Sequence, residues 1–303
     1  MAYGLTKSLD IEKSSTQCAY VADNTAFDFS STFTIEAWVN AESLPSDGTN
    51  HAIVGKWQTA GDNRSYVFRL NNTGGTYTLQ MVTDANGVAG GASSVSSSSL
   101  TISTATWYHV AVSVSAGTVT FYFNGVSSGG GSGLATPFNG ASALTIGAER
   151  ADGTDGWDGQ ISLVRLWKGA ARSVTEIQDN ACGVLGATAS LSAEWLLDDA
   201  YTDNSGNGFT LTALNTPVFS TSLPSVCLSI SVAPPLGSIT LTGYAPTFTF
   251  VNPVTVSPPL GSITLTNYAP TLRIGIWTNQ TKNASSFSNS SKSASTWTNQ
   301  TKS

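Results

Sequence analysis

Four aspartates of this 303-residue chain stand in turn-like stretches: Asp62 in "AGDNRS", Asp84 in "TDANG", and Asp152 and Asp155 in "ADGTDGWDG". Carboxylates and loop carbonyls gathered in one place suit calcium, which takes roughly six to eight hard oxygens at about 2.4 Å. Trp57, Tyr66 and Trp157 stand where the chain enters or leaves the same stretches, and aromatic faces there would stack on sugar rings. A plainer reading competes. Aspartates in such turns often cap their own backbone groups, and Trp157 would serve equally as a core aromatic. Either way, the roles depend on whether one rim gathers these loops.

Catalytic chemistry is harder to find. Glycoside hydrolysis needs an acid and a second carboxylate about 5 Å away in retaining enzymes. "TIEAWVN" supplies the single Glu36, and "AEWLLDDA" supplies Glu194, Asp198 and Asp199 at spacings that do not form such a pair. The two histidines are His51 and His109; His109 shares a strand face with Trp107 and reads as a packed sheet residue. No nucleophile–base pair, phosphate loop or Cys/His metal spacing is present, so the chain is expected not to be an enzyme. Cys18, Cys182 and Cys227 read as buried free thiols; a Cys182–Cys227 bridge is the alternative and needs an oxidising compartment.

The elements that must position these residues are strands. "FTIEAWVN" alternates, with Phe33, Ile35, Ala37 and Val39 on one face, and "TWYHVAVSVS" and "VTFYFNGV" repeat the pattern. "IVGKW", "YVFRL", "YTLQMVT", "ALTIGAE" and "GQISLVRLW" complete a series broken by Gly, Asn and Asp turns. Period-two alternation with turns every 8 to 12 residues or so predicts a sandwich. "AARSVTEIQDNACG" is the one helix candidate, closed by Gly183. If strands alternate in direction from "FTIEAWVN", with one more strand near "SSVSSSSLTI", parity brings loops 58–65, 84–93 and 149–156 to one rim. That rim would hold Asp62, Asp84, Asp152 and Asp155.

"FTIEAWV", "TWYHVAVSV", "VTFYFNGV", "LTIG" and "WDGQISLVRLWKGAARSVTEI" occur in the order and spacing of the laminin-G-like branch of concanavalin A-like jelly rolls. The chain resembles that family over roughly residues 8 to 180. The resemblance implies an all-β fold of two antiparallel sheets, a jelly-roll sandwich, followed here by short β-repeat segments. It also implies sugar or protein binding, with calcium at loop ends in some branches. The family's glucanases carry a Glu-x-Asp-x-x-Glu strand, which this sequence lacks.

Four segments follow from this reading: the jelly roll at 1–185, an appended strand segment at 186–228, two 24-residue repeats at 229–274, and a decapeptide tail at 275–303. The appended segment contains "DNSGNG" (203–208), which reads as a tight turn. "PPLGSITLTGYAPTFTF" from Pro234 returns as "PPLGSITLTNYAPTLRI" from Pro258, and its "LTGYAPT" wording resembles repeats of tailed-phage structural proteins. Trp277, Phe287 and Trp297 then recur every ten residues. Regular aromatic spacing has no use in a flexible linker, so these rungs are expected to be buried between chains. The alternative is a disordered polar tail. Asn-x-Ser/Thr triplets at Asn279, Asn283, Asn289 and Asn299 follow from composition.

Charge separates the two halves. All 19 acidic residues lie at or before Asp203 with 9 of the 13 basic ones, giving 9 − 19 = −10 there; Arg273, Lys282, Lys292 and Lys302 give +4 beyond. Nucleic-acid binding needs clustered Lys and Arg and is not expected. No stretch reaches the ~18 apolar residues of a membrane helix, and "MAYGLTKSLDIEK" lacks the apolar core of a leader. The expectation is a non-catalytic virion protein of a tailed phage, a capsid decoration or tail or fibre component, homo-oligomeric and joined to other virion proteins through its C-terminal region, exposed on the particle with a cell-surface glycan as the expected ligand of its head. The alternative is a secreted bacterial carbohydrate-binding or adhesion module.

Overall fold

The computed structural model describes residues 4–181 and 188–224, together with the backbone of the short strands 239–241, 263–265, 287–289 and 295–297. It divides into two units, residues 1–228 and 229–303. The first unit is a two-sheet antiparallel sandwich with one short helix. In chain order its strands are β1 (Ser8–Ile11), β2 (Cys18–Val21), β3 (Phe33–Ala41), β4 (Asn50–Lys56), β5 (Tyr66–Thr73) and β6 (Thr76–Asp84). There follow β7 (Ala92–Ser96), β8 (Trp107–Ser115), β9 (Thr118–Phe123), β10 (Val126–Gly131), β11 (Leu144–Ile146) and β12 (Gly159–Lys168). After helix α1 (Val174–Ala181) come β13 (Leu191–Trp195), β14 (Thr212–Leu214) and β15 (Val218–Ser220).

One sheet runs β10-β9-β8-β3-β12-β1-β15 with β13 also on β12, and the other runs β14-β2-β11-β4-β5-β6-β7. The alternation seen in the sequence decides which residues lie between them. Phe33, Ile35, Ala37 and Val39 of β3 are buried against Tyr66, Phe68 and Leu70 of β5 and Leu79 and Met81 of β6 in a single core. Phe29 stacks between Phe33 at 4.7 Å and Tyr66 at 4.8 Å, a compact aromatic column across the two sheets.

The segment 188–224 completes the sandwich. Within it, β13 joins β12, β14 joins β2 and β15 joins β1, so both sheets receive strands from it. Trp195, Leu197 and Leu211 are buried in the core. Asp203 makes the turn of "DNSGNG" by accepting from the backbone N–H of Ser205 (2.9 Å), Phe209 (3.0 Å) and Glu194 (3.1 Å). Those bonds hold its carboxyl below the usual range against the opposing effect of burial.

Helix α1 begins with a capping box: the Ser173 N–H donates to Glu176 Oε2 at 2.8 Å, and the Glu176 N–H donates to Ser173 Oγ at 3.4 Å. Its buried face, Ile177, Asn180 and Ala181, lies on the outer side of the first sheet. This cover explains why every residue of β3 is buried, on both faces. No helix among the described residues is long and apolar enough to cross a membrane.

The second unit carries one sheet of four short strands: β16 (Ile239–Leu241), β17 (Ile263–Leu265), β18 (Phe287–Asn289) and β19 (Ser295–Trp297), in that order. The two repeat families therefore share a sheet. Phe287 pairs with Trp297 across it, while Trp277 lies outside the described residues, as do Cys182 and Cys227.

Candidate functional site

The rim expected from strand parity does not form as drawn. Loops 57–65 and 85–91 do meet, because the Arg64 side chain donates to Gly87 O (3.1 Å) and pairs with Asp62 (2.9 Å). The loop 147–158 starts at the other end of the sheet. The cause is β10, whose "VSSGGG" has no apolar alternation to mark it as a strand and which inverts the count. With β11 antiparallel to β4, that loop leaves near the start of β4, where the Ala52 N–H donates to Asp155 O (2.9 Å) and the Gly147 N–H to Ile53 O (2.8 Å).

The four aspartates accordingly do not gather. Asp84 is buried and caps its own turn, accepting from Asn86 N (3.0 Å) and Gly87 N (2.7 Å). Asp152 accepts from the Thr154 N–H and hydroxyl, and Asp62 pairs with Arg64. No three of Asp62, Asp84, Asp152 and Asp155 bring ligand atoms within 4.8 Å of one another. The four therefore do not form one carboxylate cluster. The carboxylates that do meet among the described residues are Asp10, Glu12 and Glu42, with the Gln160 amide donating to both Asp10 and Glu42.

Two of the three aromatics also belong elsewhere. Tyr66 is fully buried in the aromatic column, its hydroxyl donating to Phe27 O at 3.1 Å. Trp157 is fully buried, edge-on to His51 at 6.2 Å, with Nε1 3.4 Å from Asn40 O. Neither offers a face to a sugar. Trp57 is half-buried. It follows Lys56, the last residue of β4, which points inward to Asp23 (2.9 Å) and Asp28 (3.2 Å); Arg69, between the core residues Phe68 and Leu70, faces the outer side of the second sheet.

That outer side holds the groups best arranged to meet a ligand. The loop that missed the rim folds back across β4 there. Gly55 is glycine because the Ala148 and Glu149 carbonyls lie where a Cβ would stand. The fold-back sets Glu149 Oε2 3.6 Å from Arg69 Nη1, and lets Arg150 Nη1 donate to Thr59 Oγ1 at 3.1 Å. Arg69 on β5 donates through Nε and Nη2 to Gln80 Oε1 on β6 (2.9 and 2.7 Å), and Gln80 donates to Ser96 Oγ on β7 (3.1 Å). Burial, followed by the charge of Asp155, raises the Glu149 carboxyl above its usual range, with Arg69 and Arg150 opposing. The result is a band across three strands that runs from the buried Glu149 carboxylate through the half-buried Arg69 guanidinium and Gln80 amide to the exposed Ser96 hydroxyl. It can offer several directed hydrogen bonds to a polyhydroxylated surface.

The remaining carboxylates are locked into the fold. Glu36 on β3 and Glu194 on β13 flank Arg165 on β12 in cross-strand register. Arg165 Nη1 lies 2.9 Å from Glu36 Oε1, and its Nε lies 2.7 Å from Glu194 Oε1. Asn180 of α1 donates to Glu36 Oε2 at 3.4 Å, and all three charged side chains are at most 4 % exposed. Asp198 accepts from Thr6 and Lys7 backbone N–H groups. Burial raises the Glu36 carboxyl, opposed by Arg165. This cluster could not be found from spacing along the chain, because it is assembled by register between three strands.

His109 lies in the same cluster, 3.7 Å from Glu36 and edge-on to Trp38 at 5.5 Å. Burial, then the charge of Arg165, lowers its pKa to about 3; burial lowers that of His51 to about 4. Both are neutral in the fold and take protons more readily once unfolded. Their contribution is therefore full above about pH 6.5 and is lost as pH falls toward 4 and 3. Replacing His51 by Gln is expected to flatten the fall in melting temperature between pH 6.5 and 4.5, and an unchanged slope would refute it. Cys18 is buried and free, and its thiol is pushed up to about 12 by burial.

Comparison with the curated proteins gives no match. Among solved structures, the chain is similar to a provisionally assigned carbohydrate binding protein from Bacteroides ovatus, with 22% identity and a TM-score of 0.50, over 71% of this chain and 61% of that one. It is also similar to the heptameric SAP-like pentraxin of Limulus polyphemus (14%, 0.43, covering 67% and 94%). The enzymatically active domain of tailspike protein 2 of bacteriophage CBA120 is a further likeness (16%, 0.44, covering 66% and 34%). The chain thus spans 61% of the length of the first of these, and at such identities the likeness concerns the fold alone. A laminin-G family model described as the concanavalin A-like lectin/glucanases superfamily matches residues 13–178, more than half of the chain, and the chain belongs to that superfamily.

Proposed function

We propose that this protein is a non-catalytic glycan-binding display protein whose head is the sandwich and whose C-terminal repeats assemble it with other chains. The observation that carries the reading is the outer band Arg69–Gln80–Ser96 with Glu149 and Arg150, which runs from the buried Glu149 to the exposed Ser96 and is built where the loop 147–158 folds back. In this reading the half-buried Trp57, next in the chain after β4, flanks the band, and planar polar groups with an aromatic suit sugar hydroxyls. Glu36 and Glu194, meanwhile, are held by Arg165 away from solvent, which supports binding over hydrolysis. The sandwich of the Bacteroides protein, provisionally assigned to carbohydrate binding, agrees with this reading at the level of fold. The acidic head, the acid-free repeats and their phage-like wording favour display on the surface of a tailed-phage virion.

A panel of oligosaccharides titrated calorimetrically against the full chain tests the binding claim. At least one is expected to bind, with no reducing ends released on incubation. Arg69→Ala and Trp57→Ala should each weaken that binding tenfold or more, about 1.4 kcal/mol, and leave the melting temperature within a few degrees. Binding that survives both substitutions would remove the band from consideration; glycan hydrolysis would remove the non-catalytic reading. Mass spectrometry of purified particles tests the virion location.

A further inference from the structure

A sequence that repeats every 24 residues meets itself in the C-terminal sheet. Ile239, Thr240 and Leu241 pair in parallel with Ile263, Thr264 and Leu265, each with the residue 24 positions on. The next pairing keeps that stride, Thr264 with Ser288 and Leu265 with Asn289, although residues 287–289 belong to the decapeptides. The last pairing turns antiparallel, Phe287 with Trp297 and Ser288 with Thr296. One row of register positions thus runs Ile239, Ile263, Phe287, Trp297. Strand alternation puts the row Thr240, Thr264, Ser288, Thr296 on the opposite face.

Among the described residues, the strand order leaves β16 at an edge. Its tripeptide, Ile-Thr-Leu, is identical to that of β17, so the pairing between them is one that this sequence makes with itself. We propose that the β16 edge takes a strand from a second copy of this chain, which extends the sheet across two protomers. This rests on the assembly reading of the C-terminal region given above. Three observations favour a second copy as the occupant. A repeat unit cannot bury its apolar face alone and needs stacked neighbours, and the sequence supplies this 24-residue unit twice. The edge segment "GSITLT" has none of the lysines or prolines that commonly block edge pairing. No acidic residue follows Asp203, and the four basic residues beyond it lie from Arg273 onward, so no charge at β16 selects an oppositely charged partner.

Light scattering after size exclusion, on the full chain, tests it. Ile239→Lys and Thr240→Lys put a charge on either face of the edge strand, so an effect shared by both reports on the edge and not on one face. The wild type is expected at a fixed multiple of the single-chain mass, and both variants at the mass of one chain, with the sandwich melting as in wild type. An Ile239→Val control should keep the wild-type mass. A wild type of single-chain mass at all concentrations overturns both this proposal and the assembly reading. Variants that keep the oligomer overturn the β16 edge alone and leave assembly to another surface. Glycan titration of the same samples reports separately on the head.

Discussion

Replacing Arg165 with Met is expected to cost about 3–5 kcal/mol of stability, the range for removing one partner from a buried ion pair. Arg165 stands between Glu36 and Glu194 with all three nearly inaccessible, so its loss leaves two carboxylates without their shared cation. The effect should depend on pH. Glu36 already holds its proton more tightly in the fold than an ordinary carboxyl, with burial as the main cause and Arg165 opposing. A folded pKa raised in this way favours the fold below the unfolded value near 4.5, an advantage lost as pH rises through the folded value. Removing Arg165 pushes Glu36 further up and relieves His109 of the charge that also holds it neutral. Both changes favour the variant in acid. Urea melts should therefore show a smaller gap from wild type at pH 4.5 than at pH 7.5, and adding Glu36→Gln should recover part of the loss. An equal gap at both pH values would mean that the cluster is not electrostatically coupled as described.

Trp157→Ala is the second large effect, about 3–5 kcal/mol for truncating a buried Trp. The ring fills space beside His51 and its Nε1 reaches Asn40 O, so the variant leaves a cavity and removes that hydrogen bond. Its glycan affinity, measured on the folded fraction, should match wild type. Trp57→Ala should show the reverse pattern, normal stability with weakened binding. If Trp157→Ala weakens binding at normal stability, the aromatic acts as a ligand platform and the core assignment fails.

These two tryptophans show how far the sequence could be read. The strands of the sandwich were legible because alternation such as Phe33-Ile35-Ala37-Val39 follows from one face being buried. Position across the sheets was not legible, since an aromatic beside a turn looks alike whether it points inward or outward. The loop "ADGTDGWDG" was placed at the wrong rim because "VSSGGG" forms β10 without any apolar signal. Tyr66 was misread for the same reason as Trp157: it opens a strand, but its phase puts it with Phe68 and Leu70. The outer band of Arg69, Gln80 and Glu149 has no motif along the chain. Arg69 and Gln80 meet by register, and Glu149 joins them only because Gly55 admits a carbonyl over β4. A glycine inside the apolar run "IVGKW" was the one sequence signal of that close approach.

The pairing of β1 with β15 has a consequence for biosynthesis. Ser8 lies opposite Ser220, so β1 must wait for a strand made some 200 residues later. At ~5–20 residues per second that delay is roughly 10–40 s, during which the edge of β1 facing away from β12 has no partner, and β2 likewise waits for β14. The head is therefore expected to close late on the ribosome. The repeats are made directly behind it, so the proposed pairing between chains would begin on nascent chains whose heads have only just closed.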